Sequence, residues 1–431
     1  MASLTGQTNK QKTTLLIYYQ CFLAVAAMLV FFGEVSGILK AYGIGLPLYW
    51  LILFLFLAAP LYPLAIKKLK YLPRAIFVWF GIYLAMTSII VLFMPSSSAP
   101  LQQIMEDQIR SMIFVCLMML IFSEHLVVQQ FTKIAALLVT IFNVLLMVAQ
   151  FLKPTILQEV QDAPGRSGGF YIDPNMASSA LNIGLIFSIS LIKPKYRLFY
   201  ALFVLMGNVV TFSRGGMACW FLIVILFTVL KIMPAKQLPL LIGSVLAAAI
   251  AVSTQIDNLA YLTTPDGDAL FKEGTIERVK FLVNPFAEGE GIEEEEDDSR
   301  LLLVQLGWEK FSNSPWYGNG LGSGEHQGVK ADLDSAPRSH NVYLDRMIEY
   351  GFLGAFIYPL LVLASVWKAQ GEHRKYALVF AVYALIWGIF SHTVLTNFFI
   401  LTSIAFMAVV TKRSRIEHAM EREIDPGFHS Y

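Results

Sequence analysis

Long stretches without Asp, Glu, Lys or Arg constrain this chain more than any other feature. They fall at 13–33, 41–66, 75–105, 111–123, 134–152, 174–192, 198–213, 215–230, 237–256, 350–367 and 376–411. A bilayer-spanning helix needs about 20 mostly apolar residues, because lipid offers the backbone no hydrogen-bond partner. The last stretch is too long for one crossing, and Ser391, His392 and Thr393 break it into a hairpin. The pattern predicts an all-α, polytopic membrane protein of about 12 transmembrane helices. Charged residues make up only 15% of the chain, against about 25% in a soluble domain. This composition excludes a disordered chain, a disulfide scaffold and a basic nucleic-acid binder.

The loops assign an orientation. With the N-terminus inside, the cytoplasmic segments carry Lys10, Lys12, Lys67, Lys68, Lys70, Arg74, Lys133, Lys193, Lys195, Arg197, Lys231, Lys236, Lys368, Arg374, Lys375, Lys412, Arg413, Arg415 and Arg422. The short outer loops carry only Lys40, Arg110, Lys153, Arg166 and Arg214. This is the positive-inside pattern. It depends on a fourth helix around 109–128, with Glu124 and His125 at a membrane surface. The apolar run after the polar N-terminus reads as a retained first helix rather than a cleaved signal. Cys21, Cys116 and Cys219 fall within predicted spans and read as buried thiols.

Four regions follow: helices one to nine over 1–254, a large extracytoplasmic loop between helices nine and ten over 255–340, helices ten to twelve over 341–411, and a cytoplasmic tail over 412–431. The loop holds 17 acids against seven lysines and arginines, so the total net charge of +1 conceals a segregation across the membrane. The spans hold essentially no ionisable residue, whereas ion paths and proton relays place such residues at mid-membrane. Chemistry is therefore expected at the outer surface.

Four outer clusters are candidates. Pro164-Gly165-Arg166-Ser167-Gly168-Gly169 precedes Asp173-Pro174-Asn175, where Asp173 or Asn175 caps helix six. Arg166 there is either a surface arginine or an anion ligand at a positive helix end. The turn Thr211-Phe212-Ser213-Arg214-Gly215-Gly216 joins two apolar helices. Its Arg214 either snorkels to the interface or meets an anion. An amphipathic helix near 299–313 puts Arg300, Val304, Gly307, Trp308 and Phe311 on one face. It either lies on the bilayer or turns Arg300 toward something anionic. Ser339-His340-Asn341 opens helix ten, where His340 is either structural or a general base near pH 7. Together, three arginines and a histidine on one face suit an anionic headgroup, because arginine grips phosphate oxygens bidentately.

The stretch Ser299–Gly354 resembles the signature region of the bacterial O-antigen ligase and O-antigen polymerase family. The matching residues are Arg300, Trp308, Phe311, Pro315, Gly318, Gly320, His340, Asn341, Gly351 and Gly354. The Ser213-Arg214-Gly215 turn and the segment Arg166, Pro174, Asn175, Ala177 are similar to that family too. Val304 departs from the leucine that the family often places there. The resemblance implies a glycosyltransferase of the bacterial inner membrane, acting at the periplasmic face without metal or cofactor. It implies a donor glycan on undecaprenyl pyrophosphate and an acceptor hydroxyl on lipid A–core, another lipid-linked repeat unit or a protein. Arg214 and Arg300 then bind pyrophosphate, with Arg166, Asn175 and Asn341 as further substrate contacts, and His340 is the base. A lipid-linked glycan transporter is the alternative of another class, and it requires cations along a path through the bilayer. Membrane lipids are partners on any of these readings, and nucleic acid on none.

The run Glu288–Asp298 packs eight carboxylates into eleven residues and reads as a solvated segment rather than a metal site. Shortening it, or adding a chelator, is expected to leave glycan transfer by the purified protein unchanged. Loss of transfer in a folded deletion variant argues for a direct role.

Overall fold

The structure, a computed structural model, describes residues 2–63, 73–93, 101–123, 125–153, 156–157, 166–244, 247, 276, 279, 292–324 and 339–424. The helices are α1 (Ala2–Ala27), α2 (Val35–Ala41), α3 (Pro47–Leu57), α4 (Arg74–Phe93), α5 (Leu101–Phe122), α6 (Leu126–Leu152), α7 (Pro174–Ser188) and α8 (Arg197–Val210). They continue with α9 (Arg214–Val229), α10 (Ile292–Asn313), α11 (Val342–Tyr350), α12 (Ile357–Val366), α13 (His373–Trp387) and α14 (Phe398–Ile424). There is no strand among the described residues.

Thr14–Phe32, Arg74–Phe93 and Leu126–Leu152 are long and apolar enough to cross a bilayer. Pro47–Leu57, Arg214–Val229 and Phe352–Val366 are apolar but shorter. The expected crossing at 41–66 is interrupted because Pro60 starts a tight turn at Ala59–Leu61, and proline has no N–H to continue the helix. The expected crossing at 237–256 and most of loop 255–340 lie outside the described residues. The fourth helix begins at Leu101, earlier than its apolar run, and ends before the break that contains His125. The 376–411 stretch is split, with α13 ending at Trp387 and α14 starting at Phe398. Residues 412–424, expected in the tail, continue α14.

The chain divides into two units. The first contains Met1–Phe32, Pro47–Ala135 and Leu303–Tyr431. Its centre is α14, buried all the way round from Phe399 to Val410 and packed on α5, α12 and α13. Phe398 stacks on Phe114 at 4.4 Å, and Phe406 meets Phe122 edge-on at 5.4 Å. Helix α11, which lies just before the charge-free run 350–367, buries Asp345, Arg346 and Glu349. They are tolerated because Arg346 and Glu349 neutralise each other across 2.6 Å.

The second unit contains Gly33–Leu46 and Ala136–Leu302, with α7 packed on α8 and α9. Small residues let these helices approach. A Cβ at Gly184 would lie 2.0 Å from Thr140, and one at Gly207 would lie 2.6 Å from Leu181. Packing of this kind holds helices together where lipid removes the hydrophobic drive between them.

Helix α10 starts at Ile292, so the second half of the acidic run is helical rather than irregular. Its buried stripe is Leu303, Gly307 and Phe311, while Val304 and Trp308 are exposed. The expected face is thus rotated, because Gly307 is the point where Leu344 and Ile348 of α11 press in. The cysteines are free thiols, with Cys21 and Cys219 buried and Cys116 half-buried.

Glu34 precedes α2 in a left-handed conformation, φ 56°. Its Oε1 lies 2.9 Å from where a Cβ on residue 37 would stand, so a side chain there would push the carboxylate aside. Its Oε2 is buried without a hydrogen-bond partner, and desolvation pushes the carboxyl pKa up to about 7. The folded state therefore holds a proton that the unfolded chain releases near pH 4.5. Stability is full below that value and falls as pH rises through 7. Thermal melts of the wild type in detergent should decline between pH 5 and 8, and those of Glu34→Gln should not.

Candidate functional site

In the second unit, two helices begin close together. Asp173 caps α7, its carboxylate accepting from the Asn175 backbone N–H at 2.7 Å. Ser213 caps α9, its hydroxyl accepting from the Gly216 N–H at 3.2 Å. The turn between α8 and α9 is tightened by Phe212 at φ 52° and by a Ser213 N–H bond to the Thr211 hydroxyl. Arg214 follows as the first residue of α9 and is half-buried.

Arg166 joins the two helix starts. Its Nε donates to the Thr211 carbonyl at 2.8 Å, and one terminal nitrogen donates to Asn175 Oδ1 at 2.9 Å. The guanidinium is buried rather than lying at the surface. Its loop is also tied to α6, where Gln150 Oε1 accepts from the Gly169 N–H at 2.8 Å and Asn143 Oδ1 from the Phe170 N–H at 3.2 Å. The sequence left Arg166 open between anion ligand and surface residue. The structure uses it as a brace, and Asn175 as the brace's acceptor. Both helix dipoles direct partial positive charge toward the end where Arg214 stands, which favours an anion.

Beneath this turn lies a buried amide and hydroxyl chain that the sequence did not reveal. The Ser178 hydroxyl donates to Asn208 Oδ1, Asn208 Nδ2 donates to Asn182 Oδ1 at 3.3 Å, and Asn182 Nδ2 donates to the Gly216 carbonyl at 2.9 Å. The only available signal was polar residues recurring on apolar helices.

In the first unit, His340 is exposed and adopts a left-handed φ of 53°. Ser339 before it donates to buried Asp345 Oδ1 at 2.5 Å. Asn341 after it caps α11, accepting from Tyr343 N–H at 3.0 Å and Leu344 N–H at 3.2 Å. The Asn341 amide thus shapes the helix start, a role distinct from the expected substrate contact. The Val342 N–H reaches the carbonyls of Gly388 at 3.0 Å and Ser391 at 3.2 Å, docking this segment on the α13–α14 turn. That docking brings the rings of His340 and His392 to 5.1 Å, edge to face. In sequence, His392 was visible only as part of a hairpin break.

The motif glycines have a steric origin. Gly318 (φ 77°) and Gly351 (φ 71°) sit where a Cβ would lie 2.3 Å from the Glu349 carbonyl oxygen and 2.4 Å from that of Trp316. The Asn319 N–H bonds the Ile348 carbonyl at 2.7 Å, and the Phe352 N–H bonds that of Pro315 at 2.7 Å. The glycine-rich turn therefore clamps the end of α11. Position 300 lies on α10.

The architecture is that of an all-helical membrane-type protein. Residues 199–358 match the model of the O-antigen ligase family, so the resemblance read from the motifs holds over that segment. The family's ligases and polymerases support a glycosyltransferase-like function for the chain. The matched segment takes in Arg214, Arg300, His340, Asn341, Gly351 and Gly354, and excludes Arg166, Asn175 and His392. No curated protein matches the chain.

A Cβ on residue 216 would fall 1.6 Å from the buried Ser178 hydroxyl. Gly216→Ala should destabilise the protein by about 1–3 kcal/mol through overpacking. Adding Ser178→Gly should recover part of that loss, as read by thermal melts of both variants.

Proposed function

We propose that the chain is a glycosyltransferase of the bacterial inner membrane with about 12 spans, both termini cytoplasmic and its chemistry at the periplasmic face. It moves a glycan from undecaprenyl pyrophosphate to an acceptor hydroxyl, in the ligase reading a hydroxyl of lipid A–core. The observation that carries this reading is the O-antigen ligase match over 199–358, which contains both proposed pyrophosphate arginines and the histidine.

The reaction breaks the bond between the anomeric carbon and the phosphate oxygen, and forms one between that carbon and the acceptor oxygen. Arg214 meets the pyrophosphate at the positive ends of α7 and α9, and Arg300 supplies a second cation. They stabilise the charge that develops on the leaving group, which is the largest demand of the step. The acceptor hydroxyl gives its proton to His340, whose exposure suits a base that must meet an incoming substrate. Attack opposite the leaving group inverts the anomeric centre. Arg166 and Asn175 act by holding Arg214's turn, and Asn341 by shaping the helix start beside His340.

His340→Ala should stop transfer and let lipid-linked donor accumulate, whereas a transporter would continue to work. Arg214→Ala should slow transfer about a hundredfold. Full transfer by the His340 variant would overturn the mechanism. In a deletion strain, polymerised donor with no long chains on lipopolysaccharide marks a ligase, and donor stalled at one repeat unit marks a polymerase.

A further inference from the structure

The first unit contains a cleft that the proposed chemistry does not use. It has a volume of about 80 Å³ and is lined by Trp79 and Tyr83 of α4, Asp107 and Gln108 of α5, and Arg346 and Glu349 of α11. A water needs roughly 10–15 Å³ of such space, so the cleft holds several water-sized groups. Thr396, an exposed residue of the α13–α14 connection, also lines it.

The lining is polar in a particular way. Arg346 is only 7% exposed and Glu349 only 2%. Arg346 bonds Glu349 at 2.6 Å and the Tyr83 hydroxyl at 3.5 Å, but its buried Nε has no acceptor. Gln108 pairs with Thr87 at 2.8 Å, and Thr87 in turn meets the Tyr350 hydroxyl at 3.0 Å. Asp107 is 38% exposed at its side chain and pairs with Arg110 at 3.1 Å. The lining therefore offers one guanidinium against two carboxylates, with an amide, a phenol and an indole.

Charge decides what fits. The charges at the lining are already paired, Arg346 with Glu349 and Asp107 with Arg110, so no net positive charge is left for a phosphate. A neutral polyol suits the set better. Its hydroxyls can donate to Asp107 and accept from a guanidinium donor, while Trp79 and Tyr83, with ring centres 5.1 Å apart, offer apolar faces to its C–H groups. Pockets that bind small molecules combine apolar walls with a few placed polar groups in this way.

Position adds a second argument. Asn341, the cap of α11, follows His340, and Arg346 lies about 8 Å further along that helix. The other wall runs from His392 through the turn Thr393–Leu395 to Thr396. The cleft and the histidine pair thus share both α11 and the α13–α14 connection.

We propose that this cleft binds a neutral sugar residue, and that the sugar belongs to the acceptor whose hydroxyl His340 deprotonates. The second clause rests on the transfer function proposed above; sugar binding itself does not. The test uses the full-length protein in detergent and saturation-transfer NMR with neutral hexoses, 6-deoxyhexoses and N-acetylhexosamines as methyl glycosides, and inorganic pyrophosphate as the anionic probe. At least one glycoside should receive saturation. Thr396→Trp, which fills the cleft from its exposed rim, should cut that signal about tenfold, and Arg214→Ala should leave it unchanged. Asp107→Asn, at a half-exposed position, should weaken it as well and serves if Thr396→Trp fails to fold. No signal from any glycoside, an undiminished signal in the folded cleft variant, or displacement of the sugar by pyrophosphate would each overturn the proposal. A normal sugar signal together with full transfer by His340→Ala would leave the subsite standing and remove the transferase mechanism.

Discussion

A guanidinium withdrawn from water must be met by acceptors, and each unit of this protein is organised around that demand. In the first, Arg346 is paired with Glu349, whose other oxygen accepts from the Gly322 N–H at 3.1 Å. One ion pair therefore ties α11 to the glycine-rich turn that precedes the His340 segment. In the second, Arg166 holds a loop carbonyl and the Asn175 amide, and so places two helix starts side by side. Removing either arginine would leave buried acceptors without donors, a large penalty where water is excluded. The residues read as chemical, His340 and Arg214, sit on segments that these pairings position.

Helix contact in the second unit depends on small side chains. Gly184, Gly207 and Gly216 face Thr140, Leu181 and Ser178 with no room for a methyl group. Close approach lets Asn182 and Asn208 reach across the helices, and the resulting bonds satisfy their amides. The Arg214 turn thus rests on a fully paired polar floor. A fixed cation preorganises electrostatic stabilisation of a leaving group, whereas a mobile one must reorganise as charge develops.

Much of this was legible locally. The charge-free runs foretold helices, the Ser391–Thr393 break foretold the split between α13 and α14, and Asp173 was one of two candidate caps for α7. Where the reading and the structure differ, either a non-local contact or a local helix breaker was responsible. The Leu303, Gly307 and Phe311 stripe replaced the expected one because α11 presses on Gly307. Pro60 shortened an expected crossing. That Asn341 caps α11 shows only once the helix start is seen. Arg346 was passed over because one arginine beside one glutamate in sequence gives no hint that both are buried.

By itself the sequence determined the helical class and the membrane-type apolar helices, supplied a loop-charge pattern from which an orientation is expected, and carried the motifs that the O-antigen ligase family matches over 199–358. These depend on apolar run length, on loop charge and on motif spacing, all of which act within a few turns of chain. Only the tertiary structure decided that Arg166 is a brace and that His392 stands against His340. It also decided that Trp79, Asp107 and Glu349 share one cleft. Those pairings join residues far apart along the chain, and their free energy comes from burial that exists only once the helices have packed.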